Sequence, residues 1–141
     1  MTGHLSATRI AVRSHLLADA GVSAEVDSRV YSGRPKNPTL PYIIVDVLPA
    51  LDFHGLGFNE PAYKKVRVQI MTVGVTQTEA EKVMDAVMVA LDGATIDVTG
   101  WGTPRFEGYY GPFTQEEEIE GVRHYYTIKR WEAVYAGVNV S

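Results

Sequence analysis

Hydrophobic and polar residues follow two rhythms along this chain, and each rhythm predicts an element. Over residues 5–20, Leu5, Val12 and Leu16 fall on one helical stripe with Ile10 and Leu17 beside it. Gly21 follows and offers the left-handed conformation that ends helices. Residues 22–27 add a short helical turn, and Arg29-Val30-Tyr31 a brief extended piece. Pro35, Pro38 and Pro41 mark 32–41 as a loop. Residues 42–48 are β-branched and nearly all apolar, which predicts a buried strand. In 63–73 the rhythm changes to strict alternation. Val66, Val68 and Ile70 interleave with Lys65, Arg67 and Gln69, giving one buried and one wet face.

A second helix starts at Thr76, where Thr76 and Glu79 have capping-box spacing. Ala80, Val83, Met84, Val87 and Leu91 form its apolar stripe, and Gly93 ends it. Residues 94–99 read as a strand, 100–104 as a turn, 105–110 as a strand and 111–121 as a loop. The last strand, 123–135, is long and aromatic. Its alternation does not hold one phase, which predicts a bulge or two partly buried faces. Residues 137–141 form a tail. Strands outnumber helices and several adjoin in sequence. The class is therefore α+β: a mostly antiparallel sheet of about four to five strands with two main helices packed on one face, one domain over 1–141.

Length and composition narrow this further. A chain of 141 residues, 45% hydrophobic and 10% aromatic, holds its own core and is neither disordered nor membrane-spanning. Seventeen acids against thirteen bases give a net charge of −4, unlike a free-standing nucleic-acid binder of the usual basic kind. Cysteine is absent, which removes disulfides, thiolate metal sites and cysteine nucleophiles. The N-terminus lacks the apolar stretch of a signal peptide, so the chain is expected to start near Met1 and stay where it is made.

No catalytic constellation stands out. His4 and His15 share a helical face but lie about 16 Å apart along the axis, too far to hold one metal. The run Gly55-Leu56-Gly57-Phe58-Asn59-Glu60 begins like a dinucleotide fingerprint, then lacks the third glycine and a following helix. No catalytic, cofactor or metal residue is assigned. Binding candidates remain. Leu51, Phe53, Leu56 and Phe58 sit in the irregular segment 50–61, and four large apolar residues there point to a contact. Lys64, Lys65 and Arg67 read either as a solubilising face or as partners for acids on a neighbouring subunit. Arg34 and Lys36 admit the same two readings. Glu116, Glu117, Glu118 and Glu120 form a solvated acidic run, or a surface that repels DNA phosphates.

Three stretches in order carry a resemblance. They are Leu-Leu-Ala-Asp-Ala-Gly-Val (16–22), Arg-Val-Tyr-Ser-Gly-Arg-Pro (29–35) and Leu-Pro-Tyr-Ile-Ile-Val (40–45). Together they resemble the start of the tail completion or tail terminator proteins of long-tailed bacteriophages. Val-Arg-Val-Gln-Ile (66–70), the helical run 78–91 and the closing aromatic strand 126–135 extend the resemblance over most of the chain.

The resemblance implies a non-enzymatic α+β protein that forms a ring, commonly a hexamer, on the head-proximal end of the tail tube. Such a ring stops tube polymerisation and meets the head-side connector, and phage-like gene transfer agents use the same part. The implied partners are further copies of itself, the tail tube protein and the connector. DNA would pass through without sequence-specific binding, and no membrane is involved. The implied location is the tail-neck region of a virion or phage-like particle, after synthesis in the host cytoplasm. The glycine-rich segment 50–61 and the glutamate segment 111–121 depart from the pattern. Competing readings are another neck or head–tail joining protein, and a small enzyme or ligand-binding α+β domain.

Overall fold

The computed structural model describes residues 3–48, 52–53 and 63–136. Two strands carry the architecture, β4 (Tyr63–Gly74) and β6 (Val122–Ala136), paired antiparallel from Tyr63↔Ala136 to Gly74↔Tyr125. On one side of β4 lie β2 (Tyr42–Leu48), the two-residue β3 (Asp52–Phe53) and, parallel to β2, the edge strand β1 (Val30–Tyr31). On the far side of β6 lies β5 (Phe106–Ile119), giving the order β1-β2-β4-β6-β5. Helices α1 (His4–Ala18), α2 (Ala20–Val26) and α3 (Gln77–Leu91) cover one face of this sheet. The expected α+β class and one-sided helix layer are what the structure has.

The core follows from the alternation in β2 and β4. Ile43, Val45, Val68 and Ile70 point to the helices and meet Val12, Leu16, Val22, Val83, Met84, Val87 and Leu91. β6 adds Trp131 and Ala133, and β5 adds Phe106, all buried. A smaller cluster of Ala7, Val66, Val98 and Tyr135 extends the core, with Thr8 and Tyr135 joined hydroxyl to hydroxyl at 2.7 Å. The Trp131 indole N–H donates to Asp92 at 2.5 Å, tying the sheet centre to the residue that ends α3. His15 Nε2 lies 2.8 Å from the Ala90 carbonyl and links α1 to the last turn of α3.

Helix α3 begins as its spacing predicts. The Glu79 N–H donates to Thr76 Oγ1 at 3.1 Å. The Glu79 carboxylate reaches back to the Val75 N–H at 3.0 Å, one residue before the cap. Gly74 is packed so closely that a Cβ would lie 2.7 Å from the Ala80 nitrogen.

Four expectations need correction. Gly21 does not end the first helix. Asp19 does, by turning extended, and its carboxylate then accepts the Val22 N–H at 3.0 Å and starts α2, which holds Gly21 in its first turn. Ile10 lies off the buried stripe and is 56% exposed. Residues 94–99 make only the isolated bridges Thr95↔Arg105 and Val98↔Gly102, because this segment covers the start of β5 instead of joining a ladder. Residues 111–121 are not a loop. They are the outer half of β5 and a two-residue turn, Glu120-Gly121, with φ of 51° and 79°, the positive pair of a type I′ hairpin. Of the two alternatives for the last strand, two partly buried faces is what β6 has; the ladder irregularity falls on β5, between Gly108 and Tyr110 and between Tyr110 and Phe113.

Within segment 50–61, Asp52 and Phe53 form β3. Leu51, Leu56 and Phe58 lie outside the described residues, as does the tail 137–141.

Two substitutions test this account. Thr76→Ala removes the α3 cap and should lower unfolding free energy by about 1 kcal/mol in urea titration. Gly111→Ala meets a φ of 83° and a Cβ position 2.5 Å from the Ile128 carbonyl oxygen. It should destabilise by more than about 1 kcal/mol in the same measurement.

Candidate assembly surface

The helices leave one sheet face bare. Alternation places Lys65, Arg67, Gln69, Met71 and Val73 of β4 there, opposite Val66, Val68 and Ile70. Across the ladder stand Glu132, Arg130, Ile128 and Tyr126 of β6. Glu132 gathers the two basic residues of β4: Lys65 Nζ lies 3.7 Å and Arg67 Nε 3.8 Å from its carboxylate. The Arg67 guanidinium also sits 5.2 Å from the Tyr109 ring centre. Arg130 lies 4.8 Å from the Tyr110 ring and donates through Nε to Gln69 at 2.8 Å. Tyr110 meets Phe113 edge-on at 5.2 Å. This face is a lattice of arginine–aromatic contacts, a composition that suits protein contact.

Sequence reasoning found Lys65 and Arg67 but missed Tyr109, Tyr110, Gln69 and Arg130, because their meeting depends on strand register. Lys64 stands in β4 opposite Asp52 of β3 and Tyr135 of β6.

The acidic run lies at the opposite end of the sheet. Glu116, Glu117 and Glu118 pair across the hairpin with Tyr125, His124 and Arg123, and Glu120 forms the turn. Glu116 is 3.9 Å from the Arg123 guanidinium. All four glutamates are exposed. β4 ends its pairing at Tyr125, the partner of Glu116, so residues 117–124 form a two-stranded ribbon beyond the main ladder.

The two sheet edges differ. At β1, the Arg29 carbonyl bonds inward to the Ile43 N–H, so the Val30 polar groups face outward. Both are satisfied: the Val30 N–H by the Ser28 carbonyl at 2.8 Å, its carbonyl by Arg13 Nε at 2.7 Å. At β5, Phe106 is covered by Gly93 and Ala94, but residues 107–119 make backbone hydrogen bonds only to β6 among the described residues. That edge is exposed and charged.

Between the ribbon and the proline loop 32–41 lies a cavity of about 330 Å³. Its apolar walls are Leu40, Tyr42, Ile119 and Val122, and Arg34, Glu120 and His124 are its titratable polar lining. Beneath it Tyr42, Ile44, Val73 and Tyr126 form a small cluster on the bare face. Another cavity, about 570 Å³, lies between α1 and residues 97–100, and Asp97 is the one titratable residue among its lining side chains. Among the described residues no three His, Cys, Asp or Glu side chains gather as a metal site.

Three buried tyrosines carry raised pKa values. Burial is the main cause at each. The Glu117 carboxylate adds to the rise at Tyr126, where Arg34 opposes it. Arg34 also opposes the rise at Tyr42, and the Thr8 hydrogen bond opposes it at Tyr135.

Fold and surface together define a small α+β domain with helices on one sheet face and an arginine- and aromatic-rich face opposite. Residues 10–107 match the family described as tail completion protein gp17. That match spans more than half of the chain, and the chain belongs to this family. Its boundary falls at the start of β5, so the ribbon lies outside the matched region. Among solved structures, a chain from "Virion of native gene transfer agent (GTA) particle" shares the fold at TM-score 0.71 and 19% identity, covering 96% of this chain and 100% of that one. A second solved chain aligns at TM-score 0.56 and 14% identity, covering 91% of this chain and 94% of its own length. No curated protein sequence matches.

The tyrosines give a test in pH. A phenol whose pKa is raised by folding stabilises the protein fully below the unfolded value, and that stabilisation is lost as pH climbs through the folded value. Thermal unfolding followed from pH 8 to 12 should show Tm steady to about pH 10 and falling above it. The Tyr135→Phe variant, with one such group removed, should fall less steeply.

Proposed function

We propose that copies of this chain close into a six-membered ring on the head-proximal end of a phage-like tail tube, end its polymerisation and present a surface to the head-side connector. Membership of the tail completion family is the observation that carries this reading. The fold shared with a chain of a gene transfer agent virion supports it. The protein then resides in the particle, at the junction of tail and head, and its work is structural and not catalytic.

A ring closes when each subunit offers two different, complementary surfaces. Two sets of residues are assigned to these surfaces. One is the apolar segment with Leu51, Phe53, Leu56 and Phe58, adjoining Lys64, Lys65 and Arg67. The other is the projecting ribbon. The glutamates Glu116, Glu117, Glu118 and Glu120 approach the channel, where their charge keeps DNA phosphates from adhering as the genome passes. No sequence-specific contact with DNA and no membrane is required.

The deciding measurement is the mass of the purified protein in solution, with and without isolated tail tubes. A discrete ring, alone or formed on the tube end, is the expected result. A persistent monomer that ignores tubes would overturn the reading. Exchanging Phe53 and Phe58 for serine should abolish the ring or weaken it by about tenfold or more while the monomer still folds, read by the same mass measurement and by circular dichroism.

A further inference from the structure

We propose that the cavity between the ribbon and the proline loop is the socket for the 54–62 segment of the next copy in the ring, an inference that rests on the ring reading above. The socket has four apolar walls, Leu40, Tyr42, Ile119 and Val122. At about 330 Å³ it has room for more than one phenyl ring, since a cavity of about 150 Å³ already accepts benzene. Arg34 and Glu120 are the charged residues of its lining; the Arg34 guanidinium has no ion pair with Glu120 or with any other carboxylate among the described residues, and lies 5.9 Å from the Tyr126 ring. Segment 54–62 supplies the matching chemistry, Leu56 and Phe58 followed by the acid Glu60.

Reach decides which copy supplies it. Phe53 and Tyr63 pair with each other, so the segment between them leaves and returns at one point of the sheet. Nine residues going out and back extend at most about 15 Å. The socket lies at the other end of β4, beside Tyr42, the partner of Val73. The ten steps from Tyr63 to Val73 along that strand span about 34 Å. The segment therefore cannot reach the socket of its own chain, and a neighbouring copy's socket is the one open to it. Phe53 and Tyr63, which flank the plug, pair at the opposite end of β4 from the socket, so the contact is head-to-tail and repeats around a ring.

The absence of cysteine makes the test clean. The double variant Asn59→Cys with Val122→Cys, treated with a short bis-maleimide, should give a ladder of covalent species from dimer upward on a denaturing gel. Each single variant should give no ladder beyond dimer. A ring of normal mass that yields no ladder overturns the socket while leaving the ring reading intact. No species above monomer, with or without tail tubes, overturns both. A second variant is independent of the first. Val122 is 50% exposed, so Val122→Glu should leave the subunit folded, with an unchanged circular dichroism spectrum. It should weaken subunit association by about tenfold or more in analytical ultracentrifugation. Unchanged association would overturn the socket.

Discussion

The antiparallel pairing of β4 with β6 runs unbroken over twelve positions, and it fixes which side chains of both strands face the helices and which stay bare. A slip of β6 by one residue against β4 would turn Trp131 outward and bury Arg130, while Val68 and Ile70 kept their face. Trp131 guards against that slip. Its ring lies wholly within the core, and its N–H has a partner only where Asp92 closes α3. The same register brings Glu132 beside Lys65 and Arg67 on the other face. One ladder thus sets both the core and the contact surface.

From this ladder the sheet grows unequally. Toward β1 it ends in two residues whose outward polar groups are already satisfied, one of them by a side chain from α1. Toward β5 it ends in fourteen residues that are mostly exposed, carry a run of glutamates and run past the end of the helix-covered core. Stability and contact are separated along the molecule. The apolar helices hold one face, while the ribbon and the arginine–aromatic lattice stay available.

Much of this was legible in the sequence where the signal was local. The capping box and stripe of α3 and the alternation of β4 needed only nearby residues. The break at Asp19 was hidden by Gly21, a louder helix-ending signal that here sits harmlessly inside a helix. The acidic half of β5 was read as a loop because glutamate disfavours strands, yet pairing with the aromatic β6 overrides that preference. The sign was present in Glu120-Gly121, a two-residue turn with Glu-rich and Arg-His-Tyr segments facing each other across it. Lys65 and Arg67 could be placed on a wet face, but not beside Glu132 sixty-odd residues away. Closure of the β1 edge by Arg13 depends on how α1 lies against the sheet, which no local pattern encodes.

The unequal edges have a further consequence in the language of polymer chemistry. A sheet with two usable edges is bifunctional and can extend without limit by edge pairing, as fibrils do. With the Val30 groups occupied, this sheet is monofunctional. Its one remaining edge cannot readily meet a second copy of itself, since two-fold pairing would set glutamate against glutamate. In strand pairing, a molecule so built behaves as a chain stopper and not as a monomer for growth.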